Sequence, residues 1–237
     1  MRLDKYLSYA LNLTRSEISI FIKKNDIKIN GINIKKKDYK IDEDKDKIEV
    51  NGNVVTYHRY VYYMLNKPKG LVCSKKGFGN NTIYDLFEDT KYDLSSIGRL
   101  DKDTTGLLII TNDGALNHFI TSPNNHIDKT YIVNIDSTLN ENEILEFKNG
   151  IEINDGDMEK YTTLPCDIKE KDNNIYEVII HEGKFHQIKR MFAYFNKNVL
   201  ELKRTKMGNI ILDANLKEGK YRPLTNYELD YLKSLMK

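Results

Sequence analysis

The chain has no tryptophan, only four prolines and only two cysteines in 237 residues. Cys73 and Cys166 lie far apart and form no Cys-x-x-Cys pair, so neither a disulfide framework nor a cysteine-based zinc site organises the fold. No Gly-x-x-x-x-Gly-Lys loop and no Gly-x-Gly-x-x-Gly fingerprint occurs, which leaves a nucleotide cofactor without a recognisable cradle. The histidines, His58, His118, His126, His181 and His186, lack metal-binding spacing such as His-Glu-x-x-His. No apolar run approaches the roughly 18 residues of a membrane span. The opening MRLDKYLSYALNL carries charges inside its apolar spacing, unlike a secretory signal. These absences lead us to expect a cytoplasmic chain without a membrane anchor, working without a cofactor or a metal that the sequence can place.

Net charge is only +2, but its distribution is uneven. Residues 1–40 hold ten Lys and Arg against four acids, 10 − 4 = +6, and residues 181–206 hold seven against two, 7 − 2 = +5. Between them, residues 135–178 hold four basic and twelve acidic residues, 4 − 12 = −8. Two basic islands separated by an acidic one suit a polyanion-facing surface and a solvent-facing one, although solvated faces of a lysine-rich chain explain the same counts.

Hydrophobic spacing divides the chain into two parts. Leu3, Tyr6, Leu7, Ala10 and Leu11 recur at helical intervals, and Thr14 with Glu17 forms a capping box ahead of Ile18, Phe21 and Ile22. Asn30-Gly31 inside DIKINGINI signals a two-residue hairpin. Residues 1–58 therefore read as a small helix–hairpin module ending in a linker over 51–59, and residues 59–237 as a larger domain. In the latter, strand patterns at YVYYML, LLIIT, KTYIVNI, NIYEVII and NVLELKRTKM mix with helical patterns without strict β-α-β alternation. The expected class is α+β, with a mixed, mostly antiparallel sheet flanked by helices.

The segment GRLDKDTTGLLIITNDG, residues 98–114, holds the chemically interesting carboxylates, Asp101 and Asp103. A calcium loop would need a bidentate glutamate where Asn112 stands. The Asp-x-Asp-x-Thr pattern of aspartate-nucleophile phosphatases must follow a buried strand, whereas here the apolar run LLII comes after it.

Read together, YYMLNKPKGLVCS, GRLDKDTTGLLIITNDG, FITSPNNHIDKTYIV, EGKFHQIKRMF and GKYRPLT resemble, in order, the motifs of the RsuA-type bacterial pseudouridine synthases. Residues 1–50 resemble the S4-type RNA-binding module that precedes the catalytic domain in that branch. The resemblance implies the pseudouridine synthase fold, Asp101 as nucleophile, Tyr131 stacking under the target uracil, and Lys189 as the basic partner of the nucleophile. Asp103 would help Thr104 and Thr105 shape the turn. It implies RNA contacts from Arg99, Asn66, Lys67, Lys184, His186, Gln187 and Arg190, and from Arg2, Lys5, Arg15, Lys23 and Lys24 in the first module. No cofactor and no metal are implied. The implied partner is ribosomal RNA or a small-subunit assembly intermediate, met by a monomer whose acidic island faces away. Lys184-Phe185 stands where the pattern has Arg-Tyr, and Met207-Gly208-Asn209 where a glycine pair is common.

Overall fold

In this computed structural model the chain is described at all residues except 44, 89, 91, 155–158 and 237. It divides into two compact units, Met1–Tyr60 and Val61–Lys237.

The first unit packs α1 (Leu3–Leu11) and α2 (Arg15–Lys24) on a four-stranded antiparallel sheet. Its strands are β1 (Ile27–Ile29), β2 (Ile32–Asn33), β3 (Ile48–Val50) and β4 (Asn53–Val54), in the order β2-β1-β3-β4. The capping box of α2 forms as expected, with the Thr14 and Glu17 side chains each satisfying the other's backbone N–H. Asn30 and Gly31 both have positive φ, the type I′ geometry that joins twisted strands in two residues. Asn51-Gly52 repeats it between β3 and β4. That corrects the expectation of a linker starting at Asn51: Val55 and Tyr57 pack on the cluster of Leu3, Tyr6, Leu7, Ile18, Ile22 and Ile27.

The second unit is built on one mixed sheet of β5 (Tyr62–Lys67), β6 (Ser95–Ile97), β7 (Thr105–Thr111), β8 (Lys129–Ile135), β11 (Asp167–Asp172), β12 (Ile175–Ile180), β13 (Val199–Met207), β14 (Ile210–Ile211) and β15 (Tyr221–Pro223). A separate short hairpin pairs β9 (Glu152–Asn154) with β10 (Lys160–Thr162). Along the main path the order is β11-β12-β8-β13-β7-β5-β15. Its pairs are antiparallel except β13 with β7, which run parallel with Lys203 opposite Thr105 and Arg204 opposite Gly106.

Strand β7 is buried at all seven positions because both sheet faces are covered. Leu108 and Ile110 join the cluster under α4 (Glu141–Asn149) and α5 (Gln187–Tyr194), with Phe147, Ile188, Met191 and Phe192. Leu107 and Ile109 face the other way, toward Leu116 and Ile120 of α3 (Gly114–Thr121) and Leu232 of α6 (Asn226–Ser234). Gly106 makes the parallel join possible. A Cβ there would stand 2.2 Å from the Arg204 carbonyl oxygen, and its φ is +99°.

Candidate active site

Asp101 lies on the connection from β6 to β7, a loop of seven residues, Gly98–Thr104, held at several points. The Thr104 N–H donates to the Asp101 carbonyl at 3.1 Å and closes the turn. Beneath it the Lys67 ammonium is fully buried and donates to the carbonyls of Pro68 (3.0 Å), Lys102 (3.3 Å) and Thr104 (2.9 Å). Burial lowers the pKa of Lys67, against the pull of Cys73, Asp103 and Asp101. The segment after β5 is fastened to the same turn. The Gly70 N–H donates to the Lys102 carbonyl at 2.8 Å. Cys73 Sγ accepts from the Leu100 N–H at 3.4 Å and donates to the Leu100 carbonyl at 3.3 Å. Burial pushes the Cys73 thiol up, which keeps that donor proton in place.

The second part of the site comes from the start of α5. The buried Gln187 side chain donates to Glu182 Oε1 at 2.8 Å and accepts from the Lys184 N–H at 3.0 Å, fixing the loop ahead of the helix. His186, in the left-handed conformation at the N-cap, then places Nε2 3.4 Å from Asp101 Oδ1. Lys189, one turn on, places Nζ 3.8 Å from Asp101 Oδ2. The Asp101 side chain keeps 28% exposure, so a ligand can reach it. Its carboxylate thus faces the positive end of a helix, an imidazole and an ammonium.

Lys189 is not primarily the partner of Asp101, as its motif position implied. Its ammonium bonds both Asp103 oxygens, at 2.5 and 2.6 Å. Burial raises the pKa of Asp103, but the Lys189 hydrogen bond and charge, with His186, outweigh it and hold the carboxyl below its ordinary value. Asp103 does more than shape the turn: it anchors the lysine within ion-pair range of Asp101 while leaving both Asp101 oxygens free of a short bond to it.

Tyr131 is buried in β8, opposite Val178 and Arg204 in register. It shares one apolar cluster with Leu100 and Ile188, the neighbours of Asp101 and Lys189 in sequence, so three distant motifs meet. Two further cations stand nearby. Lys129, two residues before Tyr131, donates to the Ile127 carbonyl at 2.7 Å; burial and the charge of Arg204 lower its pKa to about 8, against Asp128 and Glu182. Arg204 is buried, with Nε donating to the Leu107 carbonyl at 2.8 Å and Nη2 without a partner. Sequence reasoning passed over both. The run LKRTKM reads as a strand with exposed charges, and only the two-sided burial of the sheet shows otherwise. Among the described residues, no three His, Cys, Asp or Glu side chains converge to hold a metal ion.

The RNA pseudouridylate synthase family matches residues 61–194, more than half of the chain and all of the loops just described. The chain belongs to that family. It is 40% identical to a protein named ribosomal small subunit pseudouridine synthase A of Haemophilus influenzae, over 98% of this chain and 99% of that one. With the protein of the same name from Escherichia coli strain K12 it shares 37% identity, over 97% and 98%. A crystal structure described as a pseudouridylate synthase superposes with a TM-score of 0.67 at 39% identity, covering 98% and 99% of the two chains.

For a pseudouridylate synthase of this fold, the residues expected at the RNA surface divide into two groups. Arg99 and Lys184 are exposed, and His186 and Arg190 are partly so. In the first unit Arg2, Lys5, Arg15, Lys23 and Lys24 are all exposed, Arg2 being ion-paired with Asp4. Asn66, Lys67 and Gln187 are not at the surface. Asn66 donates to the Leu216 carbonyl at 2.7 Å, and Lys67 and Gln187 spend their donors on loop carbonyls and Glu182. These three are buried and hold the loops from within. A second correction concerns the acidic island. Arg190 Nη1 donates to the Asn154 carbonyl at 2.7 Å and Lys184 lies 5.5 Å over the Tyr161 ring, so the hairpin of β9 and β10 abuts the basic motif and does not face away from it.

Proposed function

We propose that the chain converts a uridine of bacterial small-subunit ribosomal RNA to pseudouridine, with Asp101 as nucleophile. The observation that carries this is the Asp101 carboxylate, accessible and flanked by His186 and Lys189, in a chain similar from end to end to small-subunit synthases.

The reaction is an isomerisation. The N1–C1′ bond breaks, the base turns, a C5–C1′ bond forms, N1 gains a proton and C5 loses one, so no co-reactant is consumed. A carboxylate serves by attacking the base or the sugar carbon, or by stabilising charge on the sugar. Lys189 supplies positive charge without a short hydrogen bond that would blunt the carboxylate. Tyr131 stacks under the uracil and moves a proton. Arg99 helps hold the nucleotide out of its helix, offsetting part of the few kcal/mol that extrusion costs. Residues 1–58 act as an S4-like RNA-binding domain, with Lys5, Arg15, Lys23 and Lys24 toward phosphate.

Incubation with unmodified ribosomal RNA, free and assembled, followed by mapping of pseudouridine, tests this reading. One modified site in the small-subunit RNA is expected. Modification confined to the large subunit overturns the substrate, and no modification of either overturns the activity in favour of a binding protein that assists assembly. Asp101→Ala is expected to abolish the product while RNA affinity stays within a few fold, and Asp103→Ala to retain measurable turnover.

A further inference from the structure

Between the strand that ends at Lys67 and the turn that carries Asp101 runs the segment Ser74-Lys75-Lys76-Gly77-Phe78-Gly79-Asn80. Phe78 is 77% exposed, far more than a benzyl side chain gains from water. Its backbone is also unfavourable: φ is +49°, between Gly77 at +62° and Gly79 at +82°. An aromatic residue is disfavoured in the left-handed region, and only surrounding structure can impose it there.

That structure is present. The Gly77 N–H donates to the Ser74 carbonyl at 3.3 Å, the Phe78 N–H to the Lys76 carbonyl at 2.6 Å, and the Asn80 N–H to the Gly77 carbonyl at 3.0 Å. A Cβ at Gly77 would stand 2.5 Å from the Asn80 carbonyl oxygen, so the loop closes tightly only with glycine there. Asn80 Oδ1 accepts from Lys102 Nζ at 2.7 Å, and Lys102 is the residue next to Asp101. Two residues of chain span at most about 7 Å, which keeps Phe78 within that reach of Asn80, the residue tied to the Asp101 turn through Lys102. Lys75 is ion-paired with Asp93, while the Lys76 and Arg99 side chains are exposed on the two connected loops. An apolar ring held out in water, on a rigid strained loop tied to the reacting turn and bordered by cations, suits a base stack next to phosphates.

We propose that Phe78 is a stacking wedge: it covers the face of the base adjacent to the target uridine, a face laid bare when that uridine leaves the helix. This rests on the reading of RNA as substrate and extends it to a residue that sets how tightly the opened RNA is held.

The test uses the full-length protein and a short RNA carrying the target uridine, with 2-aminopurine at the flanking position on either side in separate oligonucleotides. Binding is followed by fluorescence at fixed salt. In the parent protein one of the two probes changes its emission on binding. Phe78→Asn removes the ring and installs a residue that tolerates the left-handed region. It is expected to weaken binding about tenfold, the scale of one base–aromatic stack, and to abolish the probe signal, with an unfolding temperature no lower than the parent's. Phe78→Trp is expected to retain affinity and signal, and Phe78→Leu to lose the signal. Equal affinity and equal probe response of parent and Asn variant overturn the proposal, as does loss of both in the Trp variant. Binding is read without turnover, so RNA that is bound but not isomerised counts against the proposed reaction and leaves the comparison of Phe78 variants intact.

Discussion

At the scale of single residues, the site is an arrangement of charges at unequal distances. Lys189 is nearer to Asp103 than to Asp101, and Lys67 is sunk beneath the turn with its protons committed to three carbonyls. Lys129 is a cation in a costly environment. Its pKa of about 8 lies below the ordinary lysine value, so between those two values the unfolded chain binds more protons than the folded one. Stability from this group therefore rises with pH across that window, and below pH 8 its burial cost is fully present. The shift corresponds to about 3 kcal/mol, which partial exposure reduces to about 1–2 kcal/mol. Lys129→Met is expected to resist urea better than the parent by about that amount at pH 7, with the advantage shrinking toward pH 10. A constant difference across the range would contradict the assignment.

At the scale of elements, what could be read from sequence was what is buried on a regular period. The Thr14 capping box, the Asn30-Gly31 hairpin and the run from Leu107 to Thr111 all show in the residues, because local hydrogen bonding or two-sided burial dictates them. The strands that escaped notice are edges. In β11, DIKEKD, Ile168 alone is buried, and β15 ends on Pro223, which an edge strand accepts because its missing N–H would face solvent. The candidate site was legible to a similar limit: motif order brought Asp101, Tyr131 and Lys189 forward, but it could not show that Lys189 bonds Asp103 or that Asn66 and Gln187 are buried. Such facts follow from packing between segments far apart in the chain. Gly106 is the element-scale position with the least tolerance. Gly106→Ala is expected to destabilise by about 3 kcal/mol or more, since the new methyl meets the Arg204 backbone in a conformation that already disfavours it. Urea unfolding measures this, and a loss under about 1 kcal/mol would mean that the strands part cheaply.

At the scale of the whole molecule, charge is the property that links the two units. The near-neutral total hides a basic first module, whose five cations expected to meet RNA are all exposed. If that module meets phosphate, affinity falls with salt in proportion to the number of phosphates it neutralises. Changing Lys5, Arg15, Lys23 and Lys24 to glutamine is expected to lower the slope of log affinity against log salt by up to about 0.7 for each phosphate left without a cation. Titration at several salt concentrations decides it, and an unchanged slope would remove the module from the RNA surface. In the catalytic unit the hairpin of β9 and β10 packs on Arg190 and Lys184 through the Asn154 backbone carbonyl and the Tyr161 ring.

The parallel join of β7 to β13 has a consequence for synthesis. Thr105 and Gly106 pair with residues almost one hundred positions further along the chain, and Lys189 also comes late. During translation the turn that carries Asp101 emerges first, yet it stays unsupported on one side and without the Lys189 ammonium until most of the second unit has followed. The first module, a compact unit within its own 60 residues, makes its contacts without waiting for the rest of the chain. The central sheet of the catalytic unit can close only once β13 has followed β7 out of the ribosome.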